Sequence, residues 1–150
     1  MPRKSDIARL HRLALIRDAY ARVAEARVKE SEGQVREIER QDEEIVRNIQ
    51  VAQAEFAQRS AVLGREIQRN DTYVNALLRH RKIVRQSLEK ARGTLEQRRE
   101  VWVETRREQK MVDRLEARRL QQWQREQEIA LQKFVNDAFI GRLVRSRLQE

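Results

Sequence analysis

Stepping alternately by three and four residues from Ile7 meets Leu10, Ala14, Arg17, Ala21, Ala24, Val28, Ser31, Val35 and Ile38. The same frame continues through Asp42, Ile45, Ile49, Ala52, Phe56, Arg59 and Leu63. A mostly apolar position every 3.5 residues, held over about eight heptads, is the repeat of a helix that buries one narrow seam against another helix. A strand would alternate with a period of two, and an ordinary surface helix would drift out of this frame within a few turns. Near the N-terminus a second stripe, Leu13, Ile16, Tyr20 and Val23, lies beside the first. The apolar face there is wider than a two-stranded seam requires, so both stripes are expected to be buried.

A second frame starts at Leu77 and runs through Arg81, Val84, Leu88, Ala91, Leu95, Arg98, Trp102, Thr105, Gln109 and Val112. Leu115, Leu120, Trp123, Leu131 and Phe134 continue an apolar face with drifting register. Trp102 and Trp123 are three whole heptads apart and share one side. Four glycines and one proline in 150 residues leave too little turn chemistry for a sandwich, barrel or α/β domain. The fold class is therefore all-α, and the seam is assigned to Ile38, Ile45, Ile49, Phe56, Leu88, Leu95, Trp102 and Trp123.

Between the frames lie Gly64 and then Arg69-Asn70-Asp71-Thr72. Asn, Asp and Thr compete for helix backbone hydrogen bonds and make good N-caps. They predict a turn at about 68–72, with helix one over about 3–67 and helix two over about 73–145, in a single coiled-coil domain spanning residues 1–150. Folding back about residue 71 gives a long two-helix antiparallel coiled-coil hairpin in which partner numbers total about 142. That register sets Trp123 against Ala19, Ala21 and Ala24, and Asp42 near Arg98 and Arg99. Charge supports the hairpin. Residues 30–72 carry six basic and ten acidic side chains, while residues 73–125 carry fifteen and seven, so folding back sets opposite signs side by side. The alternative is one continuous rod in a parallel dimer, a structural scaffold.

The net charge of +9, with 27 Arg and 6 Lys, favours partners that offer carboxylates or phosphates for bidentate pairing. Arg79, Arg81, Lys82 and Arg85 could meet nucleic acid, but Glu is interleaved along most of the other basic stretches and no reader motif accompanies them. No Gly-rich phosphate loop, H-E-x-x-H or G-x-S-x-G occurs. His11 and His80 stand in helical, Arg-rich stretches without ligand spacing. No enzyme activity, small-molecule substrate, metal or cofactor is expected. Without cysteine there is neither a disulfide framework nor a thiolate metal site. No apolar run reaches the roughly 20 residues of a membrane span, and none near the N-terminus makes a signal-peptide core. A cytoplasmic protein is expected, meeting membranes only through partners. Phe139, Ile140, Leu143 and Val144 lie beyond the reach of helix one, and an amphipathic end left unpaired is a candidate docking surface.

The basic start running into Leu10-His11-Arg12-Leu13 and Ile16-Arg17 resembles the opening of type III secretion stalk proteins, the flagellar export protein FliJ and its injectisome counterparts of the YscO type. The second half is similar too, in Arg106-Arg107-Glu108-Gln109-Lys110, Asp113, Leu115, Arg118-Arg119, Trp123, Glu126 and Asp137. The apolar run at Phe139-Ile140-Gly141 departs from the charged tail of that pattern. The resemblance implies a non-enzymatic central stalk and regulator of a hexameric secretion ATPase. Its paired termini would enter the ATPase pore and its tip would reach the cytoplasmic domain of the membrane export gate. It would thus lie at the cytoplasmic face of the inner membrane, and export chaperones are a further implied partner. Carried onto this chain, the resemblance assigns ATPase contact to Arg9, Arg12, Arg17, Arg22 and Arg125 with Phe139, Ile140 and Leu143. It assigns gate contact to Tyr73, Leu77 and His80.

Overall fold

The computed structural model describes residues 3–59 and 61–147, and these form two helices, α1 (Lys4–Ala57) and α2 (Gly64–Arg147), packed antiparallel as a hairpin. The start of α1 is capped from within. Arg3 carbonyl accepts the first helical bond from the Asp6 N–H at 2.9 Å, and the Asp6 carboxylate accepts the Arg3 N–H at 3.2 Å. This is one arm of a capping box, and it places a negative charge at the positive end of the helix dipole.

The break between the helices lies at 58–63, not at 68–72 as the cap residues suggest. At the end of α1 the Arg59 N–H bonds the Phe56 carbonyl at 3.4 Å, a tightened last turn. The Leu63 carbonyl then accepts the Glu66 and Ile67 N–H groups at 2.9 and 3.2 Å, and α2 begins at Gly64. Arg59 and Glu66 form an ion pair across the break at 3.5 Å. Asn70, Asp71 and Thr72 are helical, and Thr72 Oγ1 donates to the Gln68 carbonyl at 2.8 Å. Back-bonding of this kind satisfies a hydroxyl inside a helix and removes its need for a cap role.

The described residues divide into two compact units. In the unit spanning Val23–Val103 the centre is a cluster of Val28, Val35, Leu88 and Leu95, with Ile38, Ala91 and Trp102 packed against it. Ala24, Ile45, Ala52 and Val84 are buried further along this seam, and Ile49 and Phe56 are half-buried. Polar layers interrupt it. Ser31, only 1% exposed, accepts from Arg98 Nη1 at 2.7 Å, and the same nitrogen reaches Arg27 O at 3.1 Å and Glu30 at 3.2 Å. Arg81 holds both oxygens of Asp42, at 2.9 and 3.4 Å. Arg92–Glu39 and Arg99–Glu32 flank the seam at 2.9 and 3.2 Å. The acidic part of α1 thus meets the basic part of α2, as the charge pattern predicts. The register differs, because partner numbers here total between 123 and 131. Asp42 consequently pairs with Arg81, not with Arg98 or Arg99.

The other unit joins residues 1–22 to residues 104–150. Ala14 and Ala21 are buried, while Ile7, Leu10, Arg17 and Asp18 on α1 and Val112, Glu116 and Trp123 on α2 are half-buried. Asp18 accepts from Gln109 at 2.8 Å, His11 Nδ1 meets Glu116 at 2.7 Å, and Arg17 pairs with Glu108. These pairs total 125 to 127, so Trp123 stands level with the start of α1 rather than beside Ala19, Ala21 or Ala24. Leu13, Ile16 and Tyr20 are exposed, not buried. Two helices bury one stripe each, and nothing among the described residues covers this second stripe.

Candidate functional site

The structure collects all the basic candidates for ATPase contact, and the apolar C-terminal ones, into the unit that contains both chain ends. Its described residues carry 17 Arg plus Lys against 9 Asp plus Glu. The Val23–Val103 unit carries 16 against 14, so most of the excess positive charge is in the unit that holds both chain ends. The candidates are not equivalent. Arg17 is half-buried and paired with Glu108, and Arg22 pairs with Asp18 at 2.9 Å. Arg9, Arg12 and Arg125 are exposed and have no ion-pair partner among the described residues.

With the register totalling about 126, α1 runs out near the level of residue 123 of α2. The remaining turns of α2, to Arg147, continue for about 36 Å at 1.5 Å per residue with no partner helix among the described residues. Every residue from 127 to 140 is exposed, including Ile129, Leu131, Phe134, Val135, Phe139 and Ile140, and Leu143 and Val144 follow. At about 100° per residue, Ala130, Leu131, Phe134, Val135 and Ala138 share one side of the helix. Phe139, Ile140, Leu143 and Val144 share the opposite side. The sequence identified only the second of these faces, because the hairpin register it implied kept the first under cover.

The candidates for gate contact separate. Tyr73 and His80 are exposed, one heptad apart on α2. Leu77 is half-buried on the seam. With the break at 58–63, Tyr73 stands nine residues past the start of α2 instead of directly beside the turn. Leu63 and Ile67, exposed and four residues apart, flank the break itself. Gly64 between them was the signal for this position, and the stronger cap chemistry of 70–72 hid it.

No group of three or more His, Cys, Asp or Glu among the described residues could hold a metal ion. The affinity of Arg81 for its proton departs from the ordinary value. It is raised, chiefly by the hydrogen bond to Asp42, in a contact that joins the helices. No helix among the described residues is long and apolar enough to cross a membrane.

Comparison with known proteins gives one match. The sequence model of the family described as flagellar FliJ protein matches residues 6–148. No curated protein and no solved structure matches the chain.

Proposed function

The chain belongs to the flagellar FliJ family and is a flagellar export-related protein, and from that premise we propose that it is the non-enzymatic central stalk and regulator of the export ATPase. In this reading its paired termini enter the ATPase hexamer and promote hexamer assembly and hydrolysis. The other end meets the cytoplasmic domain of the export gate, which holds the protein at the cytoplasmic face of the inner membrane. Export chaperones are a further partner class.

The observation that carries the reading is the lone stretch of α2 beyond the start of α1. Its apolar side chains point to opposite sides of one helix. A helix that is apolar on several sides is one that its surroundings enclose. A flat surface would cover one of the two faces and leave the other in water, whereas the inside of a ring covers both. Arg125, Arg9 and Arg12 at the entry to this stretch suit a ring lined with carboxylates.

The test is ATP hydrolysis by the flagellar export ATPase with and without the full chain, read together with its assembly state. Stimulation with hexamer formation is expected. A Phe139→Ser, Ile140→Ser, Leu143→Ser variant should lose stimulation while keeping its helix content, because all three side chains are exposed. Unchanged stimulation would overturn the assignment of this end. For the gate, Tyr73→Ala with His80→Ala should impair secretion and leave ATPase stimulation intact. Leu77 is a poor probe, since its replacement disturbs the seam. Loss of both activities together would refute the division of labour between the two ends.

A further inference from the structure

The exposed stripe Leu13, Ile16 and Tyr20 has a counterpart on α2. Arg17 lies between this stripe and the seam, and it pairs with Glu108. Glu108, Met111 and Leu115, at i, i+3 and i+7, share one side of α2. Asp18 and His11 lie across the seam on α1 and bond to Gln109 and Glu116. The hairpin therefore has two distinct flanks here, and Leu13, Ile16 and Tyr20 stand on the same one as Met111 and Leu115. All five side chains are exposed. Together they make an apolar strip along the groove between the helices, about 14 Å long from the level of Leu115 to that of Tyr20.

The border of the strip says what would cover it. Of the neighbouring carboxylates, Glu108 is held by Arg17, Glu104 by Arg107 at 3.8 Å, and Asp6 by the Arg3 N–H at 3.2 Å. The neighbouring cations Arg9, Arg114 and Arg118 are exposed, with no ion-pair partner among the described residues. We propose that this flank is a docking groove for an acidic amphipathic helix of another protein. That helix would set its apolar stripe on Leu13, Ile16, Tyr20, Met111 and Leu115, and its flanking carboxylates on Arg114 and Arg118. A groove between two helices accepts a third by the same side-chain interdigitation that joins the first two. A second copy of the chain set flank to flank is a poorer occupant, because it would bring the same unneutralised arginines to the face. The inference concerns a flank of the hairpin and does not rest on the stalk reading.

The test uses the full chain and two labelled synthetic peptides of about 21 residues with the same leucine stripe, one flanked by Glu and the other by Lys. Fluorescence anisotropy at about 0.15 M salt should show the Glu-flanked peptide binding and the Lys-flanked one failing to bind. An Ile16→Glu, Met111→Glu variant should weaken that binding by roughly tenfold or more. A Leu15→Glu variant, altered on another side of α1, should bind as the unaltered chain does. Equal binding of the two peptides would overturn the proposal, as would indifference to the double variant, which would mean diffuse attraction to the arginines. So would a dimer in sedimentation that the double variant dissolves, because the groove would then belong to a second copy. Failure of the peptide with ATPase stimulation intact would refute the groove alone.

Discussion

Leu88 is the most direct test of how this hairpin is held. It is 8% exposed and belongs to the cluster with Val28, Val35 and Leu95, whereas Leu78, on the same helix and off the seam, is 47% exposed. Replacing a buried Leu by Ala removes three carbons from the core and leaves a cavity, at a cost of about 2–5 kcal/mol. A two-helix seam has no third layer to trap that void. Flanking side chains and water can close on it, which places Leu88→Ala near the low end, about 2–3 kcal/mol. Leu78→Ala removes the same atoms from a site that water already reaches, and should cost less than about 1 kcal/mol. The assay is urea unfolding followed by Trp102 fluorescence in a Trp123→Phe background. Trp102 packs against the cluster, while Trp123 belongs to the other unit and could unfold separately. The midpoint should fall for Leu88→Ala with the slope unchanged. Equal costs for the two substitutions would refute the seam and the register drawn from it.

Two further predictions follow from local geometry. Asp71→Ala should stabilise the chain by about 0.5 kcal/mol, because Asp71 lies within a helix where Ala is the better former; if Asp71 were a cap, the change would cost about 1 kcal/mol, so the sign seen in thermal unfolding decides between them. The proton of Arg81 is held more tightly in the folded chain than its ordinary value, so its contribution to stability is fully present below the ordinary guanidinium value and is lost only as pH rises beyond the folded one. The stability difference between the unaltered chain and Arg81→Met should therefore stay constant from about pH 7 to about pH 10, and a difference that shrinks with rising pH would contradict the assigned contact.

Heptad spacing carried most of the fold because it is a property of each residue's position along its own helix. Each member of the first frame from Ile7 to Phe56 is buried or half-buried, as is each member of the second from Leu77 to Val112. The turn was less legible, because it depends on competition between two candidate breaks. Asn70-Asp71-Thr72 offers cap chemistry, but one carbonyl at Gln68 satisfies Thr72, and Val74 and Asn70 carry the second frame back past the apparent break. At the true break, the residue that accepts the first bonds is Leu63, whose side chain has no capping atom, so the sequence there shows only Gly64.

That displacement of the turn propagated to the candidate sites. Moving a hairpin turn by about nine residues changes every cross-helix partner by about twice that number. This is why Asp42 finds Arg81. It is also why the part of α2 that α1 cannot cover begins near residue 124 rather than at Phe139. The charge argument survived the shift because it averages over tens of residues, and an error of two or three heptads leaves acidic stretches facing basic ones. Pairwise contacts do not average in this way. Periodicity and charge blocks therefore determine the architecture of a long hairpin from sequence, while any residue assigned to a site by its opposite number inherits twice the error of the turn. Arg17 shows the consequence at the candidate ATPase end. Its place in the basic cluster was legible, but its engagement by Glu108 was not; with Arg22 held by Asp18, that leaves Arg9, Arg12 and Arg125, of the five arginines assigned to ATPase contact, without an ion-pair partner among the described residues.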